Sequence, residues 1–190
     1  MSSVENLLKE AEVLLSGHFC LTSGLHSDKY FQCAKLYQNP MMVEKIAKEV
    51  VKSLEGLEFD TVVAPAIGAV IFGYEVAKQA GVRNLFTERN SGGVMELRRG
   101  YSLEKGERVV VVEDVITTAK TIYETISAIS QFEPEIVGVG CIVDRTGGKF
   151  DSGGDLNIIS ALKADPVLHQ PDNCPLCAAG IELVKPGSRA

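Results

Sequence analysis

Two adjacent carboxylates, Glu113 and Asp114, follow a run of four valines and precede a turn rich in hydroxyl groups. Consecutive β-branched residues are typical of a strand buried on both faces of a parallel sheet. Ligands of such sheets bind beyond the carboxyl ends of the strands. Carboxylates suit sugar hydroxyls, and backbone N–H groups at a helix start suit a phosphate. Residues 113–121 therefore predict a ribose 5-phosphate site, although an ordinary threonine-capped strand–turn–helix unit has the same outline.

A second segment with possible anion chemistry is the Pro-Ala-Ile-Gly-Ala sequence of residues 65–69, which follows another predicted strand. Its small residues allow the backbone amides of Ala66 and Ile67 to approach an anion closely. A tight strand–helix turn accounts for the same residues equally well. The segment is thus a candidate pyrophosphate loop.

Cationic side chains are concentrated in residues 86–100, where Arg89, Arg98 and Arg99 flank two adjacent glycines. Arginine binds phosphate oxygens bidentately, and glycines allow a loop to move. The segment therefore predicts a mobile cationic lid, with a solvated hairpin as the alternative.

A third group of residues suits a flat, charged base. Arg145 ends a predicted strand at the same edge of the sheet and could bind a carboxylate, unless it forms a surface salt bridge. Tyr30 and Phe31 could stack on a ring, although one of two adjacent strand residues should face the core. His26, in the same segment, fits either a solvated loop or a phosphate contact.

The strand, acid pair and hydroxyl turn resemble the signature of the type I phosphoribosyltransferases, with Ala119 where glycine is usual. The resemblance implies a fold with a mostly parallel twisted sheet flanked by helices, and it implies binding of phosphoribosyl pyrophosphate (PRPP). In that interpretation the PRPP-binding residues are Glu113, Asp114, Val115, Ile116, Thr117, Thr118, Ala119, Lys120 and Thr121, with Ala66, Ile67 and Arg89.

Together with Ser23-Gly24, Tyr30-Phe31, Arg145 and the terminal Lys-Pro-Gly-Ser-Arg sequence, the motif is similar to the orotate-using branch of that family. The resemblance implies transfer of ribose 5-phosphate from PRPP to orotate in pyrimidine nucleotide biosynthesis. It assigns orotate contacts to Thr117, Arg145, Tyr30 and Phe31, and catalytic roles to Arg98, Arg99 and Asp114.

The same resemblance implies Mg²⁺ near Asp114, held through substrate oxygens with no certain protein ligand. It also implies a homodimer in which the lid serves the neighbouring subunit. Two alternatives remain open, namely a phosphoribosyltransferase for a purine base and a non-catalytic regulator that senses PRPP. A purine lacks the carboxylate that Arg145 would bind, and a regulator would need a nucleic-acid-binding element.

Composition limits the classes of function. The chain has 190 residues, 45% of them hydrophobic, which suits one folded domain. A net charge of −6 argues against general nucleic-acid binding, so an anionic substrate must be held by local cations and a metal ion. Neither a membrane span nor a signal-peptide pattern is visible, and we expect a cytoplasmic protein.

Five cysteines without an export signal suggest reduced thiols. Cys174 and Cys177 have the spacing of a zinc half-site, but a structural zinc needs four ligands, and His169 is the only imidazole close by in sequence. An ordinary reduced tail is the favoured interpretation. Zinc, including zinc shared across a dimer, and redox pairing remain alternatives.

Hydrophobic periodicity supplies the elements that would position these residues. A first helix is predicted over residues 3–16, ending at Gly17, and a second runs from an Asn39 cap to about Leu54. Strands then alternate with helices, and we expect residues 1–35 and 165–190 to fold together as a hood over the sheet. The remaining predicted elements are strands 60–64, 83–87, 108–114, 135–143 and 156–162 and helices 69–80 and 119–131.

Overall fold

The computed structural model describes residues 3–21, 23–147, 158–164 and 167–186. The helices within these ranges are α1 (Ser3–Glu10), α2 (Pro40–Ser53), α3 (Val70–Ala80), α4 (Lys120–Ile129) and α5 (Pro175–Ala178). The strands are β1 (Leu14–Cys20), β2 (His26–Phe31), β3 (Thr61–Pro65), β4 (Arg83–Arg89), β5 (Met95–Leu97), β6 (Arg108–Ile116), β7 (Glu135–Asp144), β8 (Ile158–Lys163) and β9 (Leu168–His169). None of the helices in the described residues is long and apolar enough to cross a membrane.

The central sheet has six strands in the order β5-β4-β3-β6-β7-β8. Its neighbours pair in parallel, except that β5 folds back antiparallel on β4. The predicted mostly parallel α/β fold is confirmed. Because the chain moves outward from β3 to β4 and returns to β6 on the other side of β3, the turns after β3 and β6 lie side by side. That is the position where open sheets bind their ligands.

The valine run of β6 is buried on both faces, as its sequence predicts. Val110 and Val112 face a core formed with α1, α2 and α3, whereas Val109 and Val111 face a second core formed with α4. All four side chains are fully buried. A strand enclosed between two cores can hold the acid pair at its carboxyl end in a fixed position.

The prediction of a helix over residues 3–16 is wrong beyond Glu10. Residues 14–20 form β1, which pairs antiparallel with β2, so that Leu14 lies opposite Phe31 and Leu15 opposite Tyr30. Gly17 does not end a helix but lies at the irregularity where the register of this pair shifts. The apolar residues at helical spacing form a strand instead, because tertiary contacts with β2 override a weak local preference for helix.

A second sheet of order β1-β2-β9 joins the two chain ends. His26 lies opposite His169 in the pair of β2 and β9, and Phe19 forms a bridge with Val184. The Cys20 amide donates to the Val184 carbonyl at 2.8 Å. We call this sheet, with α5 and the segment around Val184, the hood. The last residues of the terminal Lys-Pro-Gly-Ser-Arg sequence and the start of the predicted strand 156–162 lie outside the described residues.

Candidate active site

A cavity of about 570 Å³ opens at the carboxyl edge of the central sheet. Its lining includes predicted site residues from four separate segments of the chain. It also includes several residues that the sequence did not identify as site residues. The predicted residues that line it are Tyr30, Phe31, Arg89, all of residues 113–121, and Arg145. The unpredicted ones include Gln32, Cys33 and Glu124.

The acid pair lies at the end of β6, with Glu113 buried and Asp114 partly open. The Asp114 amide donates to Glu113 Oε1 at 3.1 Å, and the Val115 amide donates to Asp114 Oδ1 at 2.7 Å. Burial and the neighbouring negative charge of Asp114 raise the pKa of Glu113 well above its usual range. Burial also raises the pKa of Asp114. Two such carboxyls favour a ligand that brings hydroxyl donors or positive charge.

Residues 117–119 form the turn between β6 and α4, and Lys120 and Thr121 begin the helix. Ala119 has φ 56° and ψ 7°, the left-handed conformation that glycine adopts most easily, and no side chain caps the helix start. Alanine at the position where the related motif usually has glycine therefore still adopts positive φ. The turn keeps the glycine-like geometry, and it leaves N–H groups at the first turn of α4 for an anion.

The loop after β3 approaches the acid pair from the neighbouring strand. A Cβ atom on Gly68 would lie only 3.2 Å from Asp114 Oδ2, which makes the glycine sterically important. Ala66 donates its amide to the Thr87 carbonyl at 2.6 Å, and the Ala66–Ile67 peptide bond is cis. Ala66 and Ile67 are not among the residues that line the cavity, so the loop borders the site beside Asp114.

Arg145 lies at the opposite end of the cavity and is only 4% exposed. Its guanidinium stacks 5.5 Å from the Phe31 ring centre and donates one hydrogen bond, at 3.3 Å, to Ser27 Oγ. Within the described part of the chain its Nε has no hydrogen-bond partner. Burial lowers the pKa of Arg145 from its usual value, with Asp28 and Tyr30 opposing that shift. The alternative of a surface salt bridge is thus excluded for the described residues.

Tyr30 and Phe31 point to opposite faces of β2, as expected for adjacent residues in a strand. Phe31 packs into the core on the α2 face, and Tyr30 is half-buried against Phe19, with ring centres 5.7 Å apart. Both rings still line the cavity. Burial, followed by the charge of Asp114, raises the pKa of Tyr30, so its hydroxyl stays protonated at neutral pH. Ser27, which orients Arg145, was not predicted as a separate site residue.

The predicted lid is a hairpin of β4 and β5 with a tight turn over residues 90–93. Asn90 Oδ1 accepts from the amides of Gly92 and Val94, which fixes that turn. Arg98 and Arg99 both pair with Glu88, Arg99 at 2.8 Å, and neither lines the cavity of its own chain. Arg89 does line it and pairs with Glu124.

His26 fits neither predicted position. It is 5% exposed and faces His18 Nε2 at 3.0 Å inside the hood, so it is neither a solvated loop residue nor a phosphate contact. The nearest imidazoles to Cys174 and Cys177 are accordingly His18 and His26, not His169. Strand pairing between distant segments creates this neighbourhood. The spacing of Cys174 and Cys177 indicated half of it, but nothing in the sequence pointed to His18 or His26 as their neighbours.

The model of the phosphoribosyl transferase domain family matches residues 33–165 of the chain. The chain is 47% identical to an orotate phosphoribosyltransferase of Caldanaerobacter subterraneus subsp. tengcongensis, over 98% of this chain and 96% of the relative. It is 44% identical to the orotate phosphoribosyltransferase of Thermotoga maritima, over 98% of each. Its fold resembles the crystal structure of orotate phosphoribosyltransferase from Aeropyrum pernix, with a TM-score of 0.73 at 20% identity over 84% of this chain and 93% of that chain.

Proposed function

Because the chain belongs to the phosphoribosyl transferase domain family, and its nearly full-length relatives are orotate phosphoribosyltransferases, we propose that it transfers ribose 5-phosphate from PRPP to orotate. The products are orotidine 5′-monophosphate and pyrophosphate. In this reaction the bond from C1 of the ribose to the pyrophosphate oxygen breaks, and a bond from C1 to N1 of orotate forms.

The observation that carries the choice of base is the incompletely bonded guanidinium of Arg145. A buried guanidinium whose Nε has no hydrogen-bond partner among the described residues is costly even with the charge of Asp28 nearby, so the site favours a ligand that brings a carboxylate. Orotate is flat and carries one, and Phe31 and Tyr30 supply aromatic surface beside it. A purine base would leave the guanidinium unpaired, which makes a purine phosphoribosyltransferase the weaker candidate.

At the other end of the cavity we assign the ribose hydroxyls to Glu113 and Asp114 and the 5-phosphate to the turn of residues 117–121. The carboxylates accept from the hydroxyls, and the amides at the start of α4 donate to phosphate oxygens. The two assignments fix the sugar between the pyrophosphate and the base. Catalysis then depends on positioning and on charge, since orotate N1 is acidic enough to attack as an anion.

We propose that Mg²⁺ accompanies PRPP near Asp114. The residues fit an ion that takes most of its ligands from substrate oxygens and water. Within the described residues, no third carboxylate, imidazole or thiol joins the acid pair to form a complete set of protein ligands. When bound, the ion would neutralise charge on the departing pyrophosphate. Asp114 would orient it through the ribose hydroxyls, and Arg89 and Lys120 are the cations that line the same end of the cavity.

We propose a homodimer in which the lid serves the neighbouring subunit, and two features support this arrangement. Arg98 and Arg99 do not line the cavity of their own chain. In addition, Ile67, Ile71 and Tyr74 expose 83%, 50% and 58% of their surface beside the acid pair and along α3. Apolar side chains grouped in this way favour a protein interface.

The choice of base is tested by comparing orotate with uracil, which lacks the carboxylate, in the natural protein and in Arg145→Ala. We expect the variant to lose about 2–4 kcal/mol of transition-state binding for orotate and much less for uracil, because only orotate loses its charge partner. Arg108→Ala is the matched control, since Arg108 pairs with Asp60 and Glu58 at the other end of β6. Equal losses for the two bases would contradict a carboxylate contact.

A further inference from the structure

Four metal-binding side chains meet inside the hood, away from the cavity. The ligand atoms of His18, His26, Cys174 and Cys177 all lie within 4.8 Å of one another. His18 Nε2 is 3.0 Å from His26 Nδ1 and 3.5 Å from Cys174 Sγ, and Cys177 Sγ is 3.4 Å from His26 Nδ1. Around a tetrahedral zinc ion, ligand atoms lie about 3.3–3.8 Å apart, given its usual bond lengths. The four atoms therefore have nearly the spacing of one coordination sphere.

The folding of the chain ends explains how these side chains meet. His18 is on β1 and His26 begins β2, and the two strands pair so that Cys20 lies opposite His26. The C-terminal segment returns through β9, which pairs with β2, and α5 then places both cysteines against the imidazoles. A group of residues separated by up to 159 positions is brought together by one small sheet.

The hydrogen bonding of His18 prepares it to bind a metal. Its Nδ1 lies 2.8 Å from the carbonyl oxygen of Ile181, which can only accept, so Nδ1 carries the proton. Nε2 then directs its lone pair at the cluster. The Ile181 amide in turn donates to the Leu176 carbonyl at 3.1 Å, so the turn that supplies the cysteines also orients the imidazole. Metal-binding histidines commonly have such a partner on the second nitrogen.

Charge and burial favour an ion with two positive charges. Three of the four side chains are enclosed, with His18, His26 and Cys174 exposed by only 2%, 5% and 4%. Two thiolates and two neutral imidazoles around a divalent ion form a site without net charge, which is the least costly charge state in a buried place. Two sulfur and two nitrogen ligands in a tetrahedral arrangement select zinc.

We propose that His18, His26, Cys174 and Cys177 bind one zinc ion that fastens the C-terminal segment to the N-terminal sheet. Four protein ligands complete the coordination of zinc, so the ion is structural and leaves no position for substrate. The strand that begins at His26 also carries Ser27, which contacts Arg145, and the Tyr30–Phe31 pair. The zinc therefore stabilises the base end of the cavity. This last consequence rests on the proposed function, whereas the metal site does not.

The direct test is the zinc content of the natural protein, purified without chelators under reducing conditions, by plasma mass spectrometry. We expect about one zinc per chain, a strong fall in zinc for Cys177→Ser, and retention of zinc in Cys20→Ser. Cys20 is a free cysteine of the same strand as His18 but lies outside the cluster, which makes it the matched control. Little zinc in the natural protein, combined with failure of the chelator-treated protein to bind added zinc, would overturn the proposal.

Cobalt substitution gives a second measurement, which uses the natural protein and so does not require any variant to fold. Co²⁺ added to the metal-free natural protein should give the intense visible bands of tetrahedral cobalt and the ultraviolet charge-transfer bands of thiolate ligands. The Cys20→Ser protein should give the same spectrum. A weak octahedral spectrum without thiolate bands, or a Cys174–Cys177 disulfide in protein kept reduced throughout, would refute the site.

The effect on the base end is measured separately. Metal removal should lower the thermal midpoint and raise KM for orotate more than KM for PRPP, because the hood carries residues at the base end. A zinc-containing protein with no transferase activity would contradict the proposed function and leave the metal site standing. An active protein that binds no zinc would contradict the metal site and leave the proposed function standing.

Discussion

At the scale of single residues, the site combines groups whose charges are costly to bury. Glu113 is buried beside Asp114, and Arg145 is buried without a full set of hydrogen bonds among the described residues. Each of these states is unfavourable in the free protein and is relieved by a ligand with hydroxyl donors at one end and a carboxylate at the other. The side chains whose burial weakens the fold are therefore the ones to which we assign the two ends of the substrate.

Glu113→Gln should stabilise the free protein, and increasingly so as the pH rises. The pKa of Glu113 is raised above its ordinary value of 4.5, so above that pH the folded state holds a proton that the unfolded state has released. Stability is therefore lost as pH rises from about 4.5 through the raised pKa, and glutamine removes that loss. Urea unfolding at pH 5 and pH 8, without PRPP or Mg²⁺, measures the difference.

Glu44→Gln provides the contrast for this experiment. Glu44 is partly exposed on α2 and pairs with Lys48, and that hydrogen bond lowers its pKa, so its removal should bring no gain at high pH. The Glu113 variant should also bind PRPP more weakly, because one acceptor for the ribose hydroxyls is lost. A Glu113 variant that is less stable at pH 8 than the natural protein would contradict the burial argument.

Site residues that are adjacent in the chain are easier to predict from the sequence than site residues that meet only in the folded structure. The acid pair and residues 117–121 form one continuous motif, and all of them line the cavity. The contact of Ser27 with Arg145 and the contacts of His18 with the cysteines join residues that are more than a hundred positions apart in the sequence. Cys174 and Cys177 showed half of that cluster, and the two histidines could not be identified without the register of β1 and β2.

At the scale of elements, the turn between β6 and α4 is the segment to which we assign the 5-phosphate. Ala119 has a left-handed backbone, and its Cβ is buried against the core on the α4 face. Positive φ costs alanine about 1–2 kcal/mol, a cost that the buried methyl group partly offsets. The turn therefore keeps its shape through the packing of α4 and does not require glycine.

Two substitutions at Ala119 separate backbone geometry from packing. Ala119→Gly should change the free energy of unfolding by no more than about 1 kcal/mol and should keep PRPP affinity, since glycine adopts the same conformation and loses only one methyl contact. Ala119→Val should destabilise by roughly 2 kcal/mol or more, because a branched side chain is strained at positive φ. Urea unfolding and calorimetric titration with PRPP measure both. A valine variant as stable as the glycine variant would show that the turn has another conformation in solution.

In the lid, Arg98 and Arg99 pair with Glu88 and lie outside the cavity of their own chain. If Arg98 and Arg99 neutralise the departing pyrophosphate, replacing both with alanine should lower kcat far more than it weakens PRPP binding, the result expected for contacts made mostly in the transition state. Steady-state and single-turnover kinetics provide the two quantities. Arg83→Ala, which removes an arginine from the opposite end of β4, is the control. A change confined to KM would assign the arginines to substrate binding alone.

Local signals predicted elements well where capping and periodicity agree. Asn39 caps α2 and Pro40 begins it, and α3 ends at Gly81 with φ 71°, as the sequence indicated. The first helix shows the opposite case, because Leu14 and Leu15 fit a helical face but are held in β1 by pairing with β2. A short apolar run near a chain end fits the helical period and the strand period equally well, and pairing with a partner strand decides which structure forms.

At the scale of the whole molecule, an acidic chain must bind a highly anionic substrate. With a net charge of −6, the long-range field opposes PRPP, so the arginines near the cavity and the proposed Mg²⁺ would have to act at short range. A lid contributed by a second subunit would bring two further cations to each site. In that proposed arrangement the active unit would be a dimer.

Mixing two inactive variants tests the shared site. One variant lacks Arg98 and Arg99, and the other lacks Glu113 and Asp114. A heterodimer should assemble one intact site from the two damaged chains and recover part of the activity. Native mass spectrometry of differently tagged chains establishes that the subunits exchange. No recovery in an exchanged mixture would mean that each lid serves its own subunit.

The most direct test of the whole account is steady-state turnover of a panel of bases with PRPP and Mg²⁺. The panel contains orotate, uracil, hypoxanthine, xanthine and adenine, and the measured quantity is kcat/KM for each base. We predict orotate as the preferred base by a wide margin, with orotidine 5′-monophosphate and pyrophosphate formed in equal amounts. Faster turnover of any purine than of orotate would contradict the assignment of Arg145, and with it the proposed reaction.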